Sequence, residues 1–239
     1  MTANVLGWVS LVIVGTLVTF LPTVLRVRMP VWHGGVTAGL AAGGVGLMAG
    51  GFAIRRDVVA ATGALAFAAG ALGVAWMAAR TLRVPRRWPV PAAAKHLVPA
   101  VAWFVCGSLA LAVAVVRGPA AFDAFEPVFL VAFVLGWIVQ TLLGAWLYLI
   151  PLARPGSPTE HRRHLVAVDL GGTWQALALN AGLALVALRA VSLAPSPVGW
   201  AGTLAALTGG AAAMAKTWGF VWMSRSSWVH RRALQQWGA

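Results

Sequence analysis

The sequence is poor in charged residues. Only 10% of its 239 residues are Asp, Glu, Lys or Arg, and 60% are hydrophobic, whereas a soluble domain carries about 25% charged residues. A soluble fold of this size would need far more polar surface to cover its core. The shortage of charge therefore argues against a soluble enzyme and predicts an integral membrane protein.

Cysteine and acidic residues are also scarce. Cys106 is the only cysteine, so the chain can form neither an internal disulfide nor a thiolate metal cluster. The five acidic residues lie at predicted loops or helix ends, and no metalloprotease or phosphate-loop motif is present. The net charge of +13 does not indicate nucleic-acid binding, because the basic residues lie in short loops where anionic lipid headgroups balance them.

Long apolar runs fill most of the chain. Each approaches the roughly 20 residues that a helix needs to cross a bilayer, and the short alternating segments of a membrane β-barrel do not occur. We predict an all-α, polytopic transmembrane helix bundle in one domain, residues 1–223, followed by a short basic amphipathic cytoplasmic tail, residues 224–239. The seven predicted spans are residues 4–25, 34–54, 58–79, 96–116, 127–151, 170–194 and 198–223.

The basic residues predict the orientation of this bundle. If the N-terminus is outside, 13 of the 18 Lys and Arg residues fall in cytoplasmic segments, and such a bias sets the orientation of membrane proteins. We therefore expect a multi-pass protein of the plasma (inner) membrane with an outer N-terminus and a cytoplasmic C-terminus. The external basic residues are Arg55, Arg56, Arg117 and Arg189.

The second predicted span carries a row of glycines. They are Gly35, Gly39, Gly43, Gly46 and Gly50, and their spacing puts them on one helix face. In lipid, a bare face of this kind lets another helix approach closely. We predict that this row packs against a neighbouring helix in the centre of the bundle; a groove for a flat ligand such as a porphyrin is the alternative.

Three of the polar side chains inside predicted spans are candidates for a functional role. Gln140 and Asn180 lie near mid-membrane, where an amide needs a partner, so we expect a hydrogen bond between them; a polar pocket for a substrate or an ion is the alternative. Lys216 lies about two turns from the cytoplasmic end of span seven. Its stem either snorkels to that interface or carries a functional charge.

Two histidines are candidate cofactor ligands, because histidine is a common ligand of transition metals and haem. His33 immediately precedes span two and His96 opens span four. The two residues are therefore expected at similar depth on the cytoplasmic side, where the pair is placed to ligate one centre. The alternative is that both are interfacial residues without a ligand.

Two stretches resemble a known family. They are NVLGWVSLVIVGTLVTFLPTVLRVRM, residues 4–29, and GWIVQTLLGAWLYLIPLARPG, residues 136–156, which is followed by the asparagine of LALNAGLAL. Both are similar to the membrane region ahead of bacterial multicopper-oxidase or nitrite-reductase-like domains, which is distantly similar to haem–copper oxidase subunit I and to the NnrS family. The resemblance implies haem or copper as cofactor. As partners it implies other membrane subunits or a copper-oxidase-type protein.

The sequence also departs from that family. In the similar proteins a His-x-Asn-type motif opens the helix matched by span one; here Asn4 is present, but the place of the histidine falls on Thr2 or before Met1. Either that ligand is absent or the natural chain starts further upstream. The predicted spans also lack the histidine cluster that holds copper in oxidases, and seven helices are too few for an oxidase subunit.

Three functions stay open at this stage. The resemblance implies a membrane module that supports electron transfer or an oxidase-like partner and is not an enzyme on its own. The intramembrane residues Gln140, Asn180 and Lys216 favour a small permease or channel instead. The third reading is a structural membrane subunit without a cofactor.

Overall fold

The computed structural model of the chain describes residues 7–28, 34–85, 90–153, 157–190, 199, 201–215 and 218, and these residues are helical apart from short connections. A π-helical segment, Leu130–Val139, joins α5 to α6 without a break. The helices are α1 (Ser10–Leu25), α2 (Gly34–Ala53), α3 (Asp57–Arg83), α4 (Ala92–Arg117), α5 (Pro119–Phe129), α6 (Gln140–Leu152), α7 (Pro158–Asp169), α8 (Gly172–Ala190) and α9 (Ala201–Ala215).

Among the described residues, five helices are long and apolar enough to cross a membrane: Gly7–Leu25, Gly34–Ala53, Asp57–Arg83, Ala92–Arg117 and the continuous Pro119–Leu152. The pair α7 and α8, bent by 43°, adds a sixth if it is counted as one span. The predicted all-α membrane bundle is therefore confirmed with five or six spans. The predicted seventh span corresponds to the shorter apolar helix α9 and to residues outside the described part.

The helix ends form two distinct ends of the bundle. At one end, called the basic end below, α1, α3 and α6 finish while α4 and α8 begin. The Nζ of Lys95 donates a hydrogen bond to Thr173 Oγ1 there at 2.8 Å, and the backbone N–H of Ala92 donates to Asp169 Oδ1 at 2.6 Å. At the opposite end, Asp57 and Asp123 line a cavity of about 340 Å³.

Aromatic rings fill the core where α1, α3, α4 and the π-helical segment meet. Phe104 stacks on Trp137 with ring centroids 4.5 Å apart, and Phe67 contacts Phe104 edge to face at 5.5 Å. The indole N–H of Trp137 donates a hydrogen bond to Ser10 Oγ at 3.2 Å. Because each of these three rings is completely buried, they pack as a close-fitting apolar centre.

Glycine packing on α2 differs from the prediction. A Cβ placed on Gly44 would lie 2.5 Å from the backbone N of Phe67 and 2.8 Å from the carbonyl O of Gly63, and one on Gly51 would strike Ala60. The face with Gly44 and Gly51 is therefore the one that lets α2 and α3 touch backbone to backbone.

The glycine row that we expected to be packed is open instead. In the described part of the chain, no other helix comes within 4 Å of a Cβ placed at any of its five positions, Gly35, Gly39, Gly43, Gly46 and Gly50. The prediction of a central packed face was therefore wrong for these residues. The physical reason is that α3 presents small residues, Gly63 and Ala60, only to the other glycine face of α2.

The connection that precedes α8 is itself a helix. Ser157 caps α7 through a capping box: its Oγ accepts from the backbone N–H of Glu160, and its own N–H donates to Glu160 Oε2 at 2.7 Å. Gly171 has a left-handed backbone, φ 69°, which suits a residue without a Cβ. This turn lets the chain bend from α7 into α8 at the basic end.

Candidate functional site

Gln140 is completely buried at the start of α6. On the same helix face, Gly136 abuts Trp103 and Gly144 abuts Leu97 and Ala93, so this face lies against α4. Within the described residues neither amide atom of Gln140 has a hydrogen-bond partner. Burying an unpaired polar group costs about 1–3 kcal/mol per group, which makes this amide the least satisfied polar side chain of the α4–α6 contact.

Asn180 does not bond to Gln140, so the predicted hydrogen bond was wrong. Its Oδ1 accepts from the indole N–H of Trp103 at 2.8 Å, and its Nδ2 donates to the carbonyl of Ala176 at 2.7 Å. Both ends of the amide are thereby satisfied on the α4–α8 contact. Depth in the membrane was a sound guide to burial, but it could not tell which neighbouring helix each amide faces.

His96 lies deeper in the protein than the sequence suggested. Because α4 begins at Ala92, His96 is in its second turn, and its side chain is completely buried. Its burial places it inside the bundle rather than on its surface, and its role as a cofactor ligand stays a prediction. The other predicted ligand, His33, lies outside the described residues, as do Lys216 and the tail of residues 224–239.

The described residues do not fit a copper cluster. No group of three or more His, Cys, Asp or Glu side chains among them is arranged to hold a metal ion. A six-coordinate haem needs two axial ligands that face each other across the ring, and among the described residues His96 is the only histidine in one of the five long spans. The five long spans therefore supply one histidine ligand among the described residues, not a facing pair.

Two cavities meet at Lys95, at the basic end. The first is a groove of about 460 Å³ between α4 and α8, with Lys95 and Thr173 at one end and with Trp103, Asn180 and Cys106 in its deeper part. The second is a cleft of about 440 Å³ between the ends of α1, α6 and α7, and its polar lining includes Arg26, Tyr148 and Asp169 beside the same Lys95.

Lys95 lines both cavities, but it was not among the site residues predicted from the sequence. It was counted only as one cytoplasmic charge among many. The sequence did contain a signal. Trp103 lies as many residues after Lys95 in α4 as Asn180 lies after Gly172 in α8. Two helices that start at the same end would bring such residues to one depth. We paired Asn180 with the amide of Gln140 instead and did not consider an indole donor.

Together, the spans, the lipid-exposed apolar side chains and the buried bundle contacts define a multi-pass, helical integral membrane protein. No protein-family model matches the chain, and comparison with curated proteins and with solved structures finds no match. The function must therefore be argued from the surfaces and side chains of the chain itself.

Proposed function

We propose that the chain is a non-catalytic membrane module that packs against a partner membrane protein of the oxidase-like class. The observation that supports this is the open glycine row of α2. Glycine costs a helix about 1 kcal/mol per residue relative to alanine, and contact with lipid does not offset that cost. Close approach of a second helix does offset it, and no described part of this chain supplies one at Gly39 or Gly43.

The class of the partner rests on the two stretches that resemble the membrane region of multicopper-oxidase-like proteins. These stretches contact each other in the fold: Phe20 meets Tyr148 edge to face, with ring centroids 5.6 Å apart, and Trp137 bonds to Ser10. The matched stretches are thus one packed unit of the bundle, which is the arrangement expected if they belong to one ancestral module.

The test is coexpression of the chain with a multicopper-oxidase-type protein of the same host, followed by copurification. We expect Gly43→Leu to abolish the complex without changing the stability of the isolated chain. Gly15→Leu is the matched control, because Gly15 of α1 is also exposed with open space around it, and the complex should survive. A complex that tolerates Gly43→Leu, or a row that pairs only with a second copy of the chain, would overturn the proposal.

A haem-associated role is the second proposal, and the buried His96 favours it. One histidine suffices for a five-coordinate haem. Protein expressed with a haem precursor should show a Soret band that disappears in His96→Ala and persists in His161→Ala, a histidine of α7 outside the five long spans. No band in the wild-type chain would remove this role.

The permease reading rested on Gln140, Asn180 and Lys216. Asn180 is bonded to Trp103 and Ala176. Gln140 lines neither of the two cavities at Lys95, and Lys216 lies outside the described residues, so a permease is not proposed.

We also propose the orientation that the basic residues predict. Arg26, Arg80, Arg83 and Lys95 lie at or near the basic end, which would face the cytoplasm. A cytoplasmic reporter fused after Ala153, where α6 ends at the basic end, should be active, and a periplasmic reporter at that position should be silent. The reverse result would require the basic end to face outward.

A further inference from the structure

The groove between α4 and α8 is open to the surroundings of the bundle and apolar along its length. Val98 and Ala102 of α4 form one wall, and Ala176 and Leu177 of α8 form the other. Leu177 is 65% exposed, so the groove faces outward, toward lipid in a membrane. Hydrocarbon is therefore the material that surrounds this groove in the cell.

The polar side chains in the deeper part of the groove are already bonded. Trp103 and Asn180 bond to each other there at 2.8 Å, and the amide nitrogen of Asn180 donates to Ala176. A hydrocarbon chain lying there would bury none of their polar atoms without a partner. An apolar occupant is favoured for this reason over a polar solute.

The length of the groove matches one leaflet. From Lys95 to Cys106, both of which line it, the helix rises about 16 Å at 1.5 Å per residue. The hydrocarbon core of a bilayer is about 30 Å thick, so one leaflet contributes about 15 Å. An acyl chain anchored at the level of Lys95 would reach the membrane midplane near Cys106.

The mouth of the groove is positively charged. Lys95 makes one hydrogen bond, to Thr173, and no ion pair in the described part of the chain. The adjoining cleft adds the cation Arg26 and the anion Asp169, which keeps its charge while it accepts the N–H of Ala92, so the two cations outnumber the one carboxylate. The N-terminal ends of α4 and α8 also point to this level, and helix N-termini favour anions.

We propose that this groove binds one acyl chain of an anionic phospholipid, with the phosphate held by the Lys95 ammonium at the mouth. The groove presents its cation at the mouth and its apolar walls below, over the depth of one leaflet. An anionic phospholipid has the same order, with the phosphate above the glycerol and the hydrocarbon chain below. The role is independent of any protein partner, because the groove lies between α4 and α8, whereas the open glycine row lies on α2.

The experiment is native mass spectrometry of the full chain with phosphatidylglycerol and, separately, with phosphatidylcholine of the same acyl chains. We expect one tightly held phosphatidylglycerol, and about fivefold weaker binding in Lys95→Gln, the factor expected for one basic residue near an anionic surface. Arg117→Gln is the charge-matched control at the other end of α4 and should leave binding unchanged. Equal affinity for the two lipids, or equal losses in both variants, overturns the proposal.

Two further measurements distinguish binding of the acyl chain from binding of the phosphate headgroup. Ala102→Trp fills the groove and should prevent binding, whereas Val113→Trp, on an exposed part of α4 away from the groove, should not. Glycerophosphate, which carries the headgroup chemistry without chains, should fail to compete at the same concentration. Competition by glycerophosphate, or binding that survives in Ala102→Trp, would show that a free phosphate or another surface accounts for the signal.

A measurement on the wild-type chain covers the case in which a variant does not fold. Cys106 is the only cysteine, is exposed and lines the deep end of the groove, so a small fluorine-bearing tag can be placed there alone. In nanodiscs, a phosphatidylglycerol with a spin label near the end of its acyl chain should broaden the fluorine resonance several times more than the matching phosphatidylcholine. Equal broadening at equal mole fraction overturns the proposal.

Discussion

Gly43 and Gly44 are adjacent in α2, yet their surroundings differ completely. A Cβ on Gly44 would collide with the backbone of α3, whereas a Cβ on Gly43 would meet no other helix of the described chain within 4 Å. Both positions belong to glycine rows with helical spacing. The comparison teaches that a row of glycines identifies a face on which a helix can approach, while the small residues of the neighbouring helix decide which face is used.

The largest expected effect tests this contrast directly. Gly44→Leu should lower the free energy of unfolding by about 3 kcal/mol or more, because its side chain has no space between α2 and α3 and overpacking on this scale forces backbones apart. Gly43→Leu should be neutral or stabilise by up to about 1 kcal/mol through helix propensity. Unfolding curves of the purified chain in detergent measure both. Equal losses would show that both glycine faces are packed within this chain.

Gln140 is a buried side chain whose amide has no hydrogen-bond partner among the described residues. Gln140→Leu should raise the free energy of unfolding by about 1–3 kcal/mol, since it removes a buried amide with both ends unpaired. Thr141→Val, which removes a neighbouring unpaired hydroxyl, should stabilise less. Destabilisation by Gln140→Leu would mean that the amide holds a water or a ligand in the native protein.

A satisfied amide should behave in the opposite way. Trp103→Phe removes the donor to Asn180 Oδ1, so it should destabilise by about 0.6–2 kcal/mol, the range found for hydrogen bonds between membrane helices. A double-mutant cycle with Asn180→Leu isolates this coupling, and Trp76→Phe at an exposed position is the control. A coupling of zero would indicate that the bond does not form in the bilayer.

The smallest effect is expected outside the long spans. Ser157→Ala breaks the capping box of α7, and because this cap is exposed, the cost should be about 0.5 kcal/mol, at the low end for such caps. Hydrogen exchange at the amide of Glu160 should quicken about twofold, while amides of α4 stay protected. An unchanged rate would show that water replaces the serine hydroxyl without loss.

Local rules predicted most of the helices. Length and apolarity placed α1, α2 and α3 within a few residues, because these features are set by the thickness of the bilayer. Two boundaries were missed for physical reasons. Asp169 binds the first turn of α4 from far along the chain, so α4 begins at Ala92, and α5 runs on through the π-helical segment into α6 despite Pro127.

The candidate site was less predictable than the helices. Sequence position gave the depth of Gln140 and Asn180, and both are largely or wholly shielded from the outside. Sequence did not give the rotation of each helix about its axis, which depends on the fit between neighbours. For that reason it predicted the wrong partner for Asn180 and the wrong glycine face of α2, and it did not predict that His96 is buried among the helices.

The contact between α4 and α8 can form only after the ribosome has synthesised α8, well after α4. Among the described residues, hydrogen bonds from Lys95 and Trp103 join α4 to α8, and one from Ala92 joins α4 to the end of α7. All three link residues 77 or 78 positions apart. At about 5–20 residues per second, α4 emerges roughly 4–15 s before the residues that complete these bonds. During that interval the Trp103 indole and the first amides of α4 must rely on temporary partners, so nascent chains stalled before Gly172 should be the forms that the quality-control proteases of the cell recognise first.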